Sequence, residues 1–544
     1  MPRFGSPLNI RIRSTESVAI IEPTLGLDAS QPSVDAPLGS TPASDNYIMR
    51  EGALEPRPML SLRNTTPQPL GADPVLGGWD LISVANSRFP IVSGTTRLAA
   101  YGLGGNPNGW SALSYVSAAG LNDPPAGSSA NYWDFCQLYY PARDEMIAIG
   151  ANGSYQSLYC TQSDTTVFSS LTGAPRAKYV ATFNNYVLTF NSKDGANDLV
   201  QRVQWSDRGD PSTWTQGLAG FEDLLDMRGQ GTRVLAQENQ VVLFSEDEIW
   251  RGVERDYPFQ FAFQPLDRSV GCPYAWTACQ TPLGIIWLGK DYQVYLLPKG
   301  GGQAQPIGQR LHRSIRQTID TPAKAWAVYD HTLSQYHLYY AVKGGSGTPQ
   351  SAVYLDIQTG SWAPQSFDKN AGGLSLTRGF EVYVSSSATT WGGLVAAGMR
   401  WADLNQSWAE LQGASEERSI LVGSSTGTTY TFSSTATSDN GTAVPCTWRS
   451  TGLVGDDPSR QKTMTELRID YQGESSSSLS VRFSPNVGAS FGNETRVDLP
   501  ATSGLSQAIV HPYFTARYPM FEVSSEGHRY RIFRFWNAYR RSGR

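Results

Sequence analysis

From about residue 80 onward, short runs of β-branched and aromatic residues alternate with Gly, Asn or Asp turns, a hydrophobic period of two that predicts hairpins. The run "EMIAIGANGSYQSLY" breaks at Asn152-Gly153, "KYVATFNNYVLTF" at Asn184-Asn185 and "TRVLAQENQVVLF" near Glu238-Asn239. Further breaks fall at Gly289-Lys290-Asp291, between Asp330 and Gln335, and at Ser425 to Gly427. Several of these hairpins begin near residues 179, 234, 285 and 328. Their spacing of roughly 40 to 55 residues matches the ~40 to 50 of a four-stranded propeller blade. Each such blade has a face that only its neighbours cover, so repetition supplies the core. The predicted fold is all-β: a β-propeller over 61–435, a C-terminal β-rich, sandwich-like domain over 436–544 and an extended N-terminal arm over 1–60.

The arm is expected because "DASQPSVDAPLGSTPASDN", after one alternating stretch "NIRIR", has no apolar period to bury. Within 390–412, a W-x-x-L spacing recurs at Trp391/Leu394, Trp401/Leu404 and Trp408/Leu411. A packing helix or a chain of turns accounts for it better than a ligand site does. After about 436, alternating strands with turns every ten residues or so suggest the sandwich.

Composition narrows the function classes. Lys plus Arg number 43 against 48 Asp plus Glu, a net charge of −5, which argues against broad phosphate neutralisation. The five cysteines, Cys136, Cys160, Cys272, Cys279 and Cys446, contain no C-x-x-C pair, so neither a disulfide framework nor a zinc site is expected. No apolar run approaches a membrane span, and "MPRFGSPLNIRIR" lacks the apolar stretch of a signal peptide. Synthesis and folding in a cytoplasm is the expectation, and no cofactor is implied.

The candidate chemistry is concentrated in polar turns. In "RVQWSDRGDPSTW", Trp205 and Trp214 bracket Ser206, Asp207, Gly209, Asp210 and Pro211, a pattern open to a catalytic pocket or an architectural hairpin. Asp and Ser can accept backbone N–H bonds inside such a turn and Gly supplies a positive φ, which favours architecture. "VYLDIQTGSW" offers a similar set in Asp356, Gly360 and Trp362. In "SPNVGASF", Ser484, Asn486, Gly488, Ser490 and Phe491 have the spacing of an Asp-box, a hairpin turn that also recurs in sialidase propellers. The overlapping "GASFG" matches G-x-S-x-G but precedes the strand-like "TRVDL" rather than a helix, so it is read as coincidence. Glu246-Asp247-Glu248 and the set Glu222, Asp223, Asp226 could hold a cation or an acid/base pair, although such runs are more often solvated turns. The histidines His312, His331, His337, His511 and His528 form no metal-binding motif, and the loops "GLGGNPNG" and "KGGGQ" lack a phosphate-cradling Gly-Lys-Ser/Thr ending. Arg529, Arg531, Arg534, Arg540, Arg541 and Arg544 interleave with aromatics, which suits either base stacking or, preferably, a last strand with arginines at a subunit contact.

Several segments, in order, resemble the β-propeller tail hub or nozzle of short-tailed bacteriophages, the group that includes packaged-DNA stabilisation proteins. They are "SDNYIMREGALEPRP", "VQWSDRGDPSTW", "VLFSEDEIW", "SVGCPYAW", "LGIIWLGKDYQVYLL", "VYLDIQTGSW", the W-x-x-L series, "LVGSSTGTTYTF" and "SDNGTAVPCTWRSTGL", spanning roughly residues 45 to 455. The resemblance implies a virion tail protein, assembled in the host cytoplasm as a homo-hexameric ring below a portal and adaptor. It would retain packaged double-stranded DNA, let it pass at infection, and carry tail fibres or spikes, with no bond chemistry and no membrane span. The gate loops are not identified by it. A propeller glycan hydrolase or depolymerase, or a carbohydrate-binding adhesin, is the competing expectation.

Overall fold

The computed structural model describes residues 16–541 except 64–68, 103–108, 117–127, 162, 164–166, 257–258, 368–373, 386–415, 434–435, 456, 474, 503 and 527–528. The W-x-x-L series, "NIRIR", most of "GLGGNPNG", His528 and Arg544 lie outside the described residues. The chain divides into two units, one of 60–352 with 371–436 and one of 1–59, 353–370 and 437–544.

The larger unit is a β-propeller, with seven sheets among the described residues. The first blade is Gly77–Ile82, Arg88–Ser93, Leu98–Tyr101 and Trp110–Ala112. The second is Asp134–Tyr140, Glu145–Ala151, Leu158–Thr161 and Val167–Ser170, with Ser114–Val116 added in parallel at its edge. The third runs through Arg176–Phe183, Tyr186–Asp194, Asn197–Trp205 and Gly220–Asp223, and the fourth through Gly231–Gln237, Gln240–Ser245, Ile249–Glu254 and Phe261–Asp267. The fifth comprises Cys279–Thr281, Gly284–Leu288, Val294–Pro298 and Gln305–Pro306. The sixth is built on Trp326–Asp330 and Gln335–Val342, and the chain leaves this unit along Ser351–Asp356. The seventh takes Leu376–Ser385, Glu416–Ser424 and Thr429–Ser433 from late in the chain and Met59–Leu62 from early in it, which closes the ring.

The first strand of each blade lies innermost, and these strands touch in sequence from the first blade to the seventh and back to the first, with Ala275–Thr277 bridging the fourth to the fifth and sixth. Apolar residues of adjacent sheets fill the wedges between blades: Leu81, Ile91, Trp133, Phe135 and Phe168 join the first to the second, and Phe244, Ile249, Ile285 and Trp287 the fourth to the fifth. Indole N–H groups tie blades together polar-to-polar, Trp133 donating to the Gly94 carbonyl at 3.0 Å and Trp326 to that of Leu376 at 2.9 Å. The Asn184-Asn185 turn has both residues at positive φ, as a tight two-residue hairpin requires. The helix Gln309–Thr318 was not anticipated; it buries only Leu311 and Ile315, one turn apart, too short an apolar stripe to stand out from the flanking strands.

The smaller unit is a sandwich of two sheets. One sheet has the order Ser506–Val510, Lys462–Gly473, Tyr530–Arg541, Ala53–Pro56, Tyr47–Arg50, with Glu16–Ile21 also beside Tyr530–Arg541. The other has the order Ser44–Asp45, Pro445–Arg449, Met520–Glu526, Ser477–Ser484, Thr495–Leu499. Trp448 of the second sheet stacks on Phe535 of the first with ring centroids 5.2 Å apart, and Phe521 packs on the same Phe535 at 5.0 Å.

This corrects the expected arm. Glu16–Ile21 pairs in register with Phe535–Arg540, and Ser40, Thr41 and Asn46 of the Pro/Ser-rich stretch are fully buried. A stretch without apolar period orders here because its polar side chains find partners: Asn46 Nδ2 donates to the Pro445 carbonyl at 2.8 Å, and Asp28 accepts from Ser30 and Gln31. The sandwich is therefore built from three separate chain segments rather than from 436–544 alone.

Candidate functional site

The turn after Trp205 uses its polar atoms on its own backbone. Asp207 Oδ1 accepts from the N–H groups of Arg208 and Leu218, both at 2.9 Å. Asp210 accepts from the Ser212 N–H at 3.0 Å, the Ser212 hydroxyl at 2.6 Å and the Thr213 hydroxyl at 2.7 Å. Ser206 Oγ accepts from the Val187 N–H at 3.0 Å, and Gly209 sits at φ +75°. The Trp205 and Trp214 indoles donate to the carbonyls of Leu218 and Pro211. Burial pushes the Asp210 carboxyl upward, but the Ser212 and Thr213 donors outweigh it and hold the group below its ordinary value.

The two related turns, both in the sandwich unit, are built the same way. Asp356 Oδ1 accepts from the N–H groups of Gln358 and Thr359, Gly360 turns at φ +71°, and Trp362 is buried. Ser484 Oγ accepts from the Gly488 N–H at 2.8 Å and Asn486 Oδ1 from the Ser490 N–H at 2.9 Å, with Gly488 at φ +82°. Phe491 lies under the guanidinium groups of Arg449 and Arg482. This Asp-box joins Ser477–Ser484 to Thr495–Leu499 of the sandwich rather than two propeller strands, and no helix follows "GASFG".

Several of the acidic candidates are also occupied, among them Glu246, which accepts from Gln230 at 2.9 Å. Asp247 pairs with Lys290 at 3.0 Å, and Glu248, fully buried, accepts from the Arg228 N–H. Asp223 forms a two-pronged pair with Arg202, both contacts at 2.7 Å. His331 Nδ1 lies 2.8 Å from Glu381, whereas His337 is buried in its strand and held neutral. Among the described residues no group of three His, Cys, Asp or Glu side chains could hold a metal ion, and no helix is long and apolar enough to cross a membrane. The arginines of the last strand pair inside the sandwich: Arg531 with Glu51 at 2.8 Å and Glu55 at 3.1 Å, and Arg540 with Glu16 at 2.8 Å.

Two places combine space or charge with exposed chemistry. A cleft of about 990 Å³ opens between the second and third blades. Tyr115, Tyr155, Trp214 and Phe221 supply its aromatic walls, and Arg176, Lys193, Asp194 and Arg202 its charge. Phe221 is 56% exposed with the Arg202 guanidinium 4.1 Å from its ring centre. Of the quoted stretch, Arg202, Gln204 and Trp214 line this cleft, and Asp207 and Asp210 do not.

The second place is the propeller axis. Trp276, from the short turn between the fourth and fifth blades, meets Tyr132 and Tyr179 with ring centroids 5.7 Å away in each case. The guanidinium groups of Arg233 and Arg378 lie 4.9 and 4.3 Å from its ring centre. Residues of the second, third, fourth and seventh blades thus converge on one indole, which is only 8% exposed and plugs the axis. Sequence reasoning missed this cluster. Its signal is an arginine after a buried threonine at the head of an innermost strand, Thr232-Arg233 and Thr377-Arg378, inside otherwise apolar runs.

No family model and no curated protein matches the chain. Among solved structures it is similar to an exo-beta-1,3-galactanase from Phanerochaete chrysosporium, at 10% identity and a TM-score of 0.27, covering 88% of this chain and 100% of that one. It is also similar to the Pan2 WD40 domain of Neurospora crassa, at 6% identity and a TM-score of 0.36, covering 72% of this chain and 98% of that one. The N-terminal domain of Nup159 gives 9% identity and a TM-score of 0.37 over 69% of this chain and 95% of that one.

Proposed function

We propose that the protein is a structural subunit of the tail of a short-tailed bacteriophage, a nozzle or hub that retains packaged DNA, lets it pass at infection and carries fibres or spikes. The observation that carries this reading is the fate of polarity at the turns through which the chain resembles that family: Asp207, Asp210 and Asp356 are consumed by neighbouring backbone. Such turns fix strands and leave nothing to act on a substrate. The axis plugged by Trp276 bears on the conduit, because duplex DNA cannot thread a single propeller. The channel would be formed between copies, as the homo-hexameric ring implies, and an acidic chain of net charge −5 would let DNA slide without gripping it.

The test is assembly. The purified chain, alone and with portal and adaptor from the same genome, is expected to form a ring of about six copies by mass and by electron microscopy. A stable monomer that never joins a portal–adaptor complex overturns the reading.

The cleft beside Phe221 favours a second reading, a carbohydrate-binding face, since exposed aromatics beside polar side chains suit sugar rings. Hydrolysis is less well supported, because two carboxylates must flank the bond and, among the described residues, Asp194 is the one carboxylate lining the cleft. Glycan binding lost in Phe221→Ala would support the adhesin; a glycan array silent with the parent protein would remove it.

A further inference from the structure

The charge at the propeller axis does not balance. Arg233 and Arg378 both lie within 5 Å of the Trp276 ring centre, at 4.9 and 4.3 Å. The carboxylate paired with either of them is Asp134, whose Oδ1 is 2.7 Å from Arg233 Nη1. Its other oxygen accepts from the Val180 N–H at 3.1 Å, and Asp134 acts on Arg378 through its charge, with no ion pair between them. Arg233 Nε and Arg378 Nη1 are buried and make no hydrogen bond.

The other ionisable groups facing the cluster do not supply the missing charge. Burial pushes the Cys272 and Cys279 thiols up to about 12 and raises the Tyr132 and Tyr179 phenols, so all four stay neutral. Of the further carboxylates, Glu381 is engaged by His331 at 2.8 Å and Arg418 at 3.5 Å, and Glu246, which acts on Tyr179, accepts from Gln230 at 2.9 Å. Two largely covered cations therefore share one directly paired anion, and burial followed by repulsion from Arg233 brings Arg378 down to about 10, still charged at neutral pH. Stacking on Trp276 offsets part of the cost of covering an unpaired cation and leaves the rest uncompensated.

We propose that the axis is an anion site in which Arg233 and Arg378, held against Trp276, take a small oxyanion such as inorganic phosphate or a carboxylate. The free N–H groups, one on each guanidinium, are charged donors of the kind oxyanions accept, and the indole lies within 5 Å of both guanidinium groups. The site is independent of the tail reading, since it needs only one chain.

The experiment is a thermal-melt titration of the full chain with sodium phosphate or sodium acetate at constant ionic strength, comparing the parent with Arg378→Met and Arg378→Lys. A saturable rise in Tm is expected for the parent. It should be absent in Arg378→Met and shifted by about tenfold or more in concentration in Arg378→Lys, which keeps the charge but loses the fork. Whichever salt saturates at lower concentration identifies the anion class. A rise that is equal in parent and Arg378→Met, or that never saturates, is a general salt effect and overturns the proposal. Should Arg378→Met not fold, bromide-soaked crystals of the parent decide the matter: an anomalous peak between the two guanidinium groups supports the site, and none there overturns it.

Discussion

Arg57 and Asp439 form an ion pair with both side chains fully buried, Arg57 Nη1 lying 3.1 Å from Asp439 Oδ1 while its second terminal nitrogen meets Oδ2. The contact joins the early segment of the sandwich unit to its late one across 382 residues. Asn46 Oδ1 accepts from Arg57 Nε and Phe367 lies under the guanidinium, so all three segments of that unit meet at one arginine. Removing one partner leaves a buried charge unpaired. Asp439→Asn is therefore expected to destabilise the sandwich by about 3 to 5 kcal/mol. Chemical denaturation followed by tryptophan fluorescence and circular dichroism would check this, and a loss below about 1 kcal/mol would show the pair to be dispensable.

How much of this was legible in sequence follows from what each contact needs. "KYVATFNNYVLTF" carries its own hairpin, since partner strands and turn are contiguous, and the Asn184-Asn185 turn forms where the pattern places it. Propeller blades are such local units, which is why the repeat showed through. Strand Glu16–Ile21 instead pairs with a strand whose Arg540 is 524 residues from its Glu16, and nothing local in "ESVAII" names that partner. The arginines of the last strand are read from sequence as a subunit contact, but Arg531 and Arg540 pair within the chain, with Glu51, Glu55 and Glu16, which come from the stretch read as an arm. The axial pair Arg233 and Arg378 was invisible for the same reason, being assembled from blades far apart in the chain.

The polar turn after Trp205 predicts an acid-side effect. Asp210 is held below its ordinary value of 3.8, so the folded state prefers the carboxylate. Its contribution is complete above that value and is lost as pH falls through the lower folded one. Asp210→Ala is expected to cost about 1 to 2 kcal/mol near neutral pH and nearly nothing at the acid end. Equal cost at both ends, measured by denaturant melts across pH, would contradict the role of the Ser212 and Thr213 donors.

His337 should set a second and opposite kind of proton linkage. It is 1% exposed, and burial brings it from 6.5 down to about 3. The folded state therefore holds the neutral ring while the unfolded chain takes up a proton below 6.5. Stability is full above 6.5 and declines between 6.5 and about 3. The slope approaches ~1.4 kcal/mol per pH unit, one proton's worth. His337→Gln should flatten that limb, whether or not it lowers stability at neutral pH. An unchanged slope in the variant would place the titration elsewhere.

Ring closure of the propeller rests on a close approach between its last and first blades. A Cβ on Gly78 would lie 1.9 Å from Phe380 Cε1, so the absence of a side chain in the first blade makes room for the ring of the seventh. Around them Val92, Ala99, Trp110, Val382 and Leu421 form a buried cluster on which Phe380 packs, leaving the ring little freedom to retreat. Gly78→Ala is expected to cost about 1 to 3 kcal/mol by overpacking. Phe380→Ala alone also destabilises, through the space it opens, but in that background Gly78→Ala should cost far less. A double-mutant cycle would then show a coupling of roughly 0.5 to 3 kcal/mol. Strictly additive losses would mean that Phe380 moves aside freely and that the closure is held by Met59–Leu62 beside Thr429–Ser433 instead.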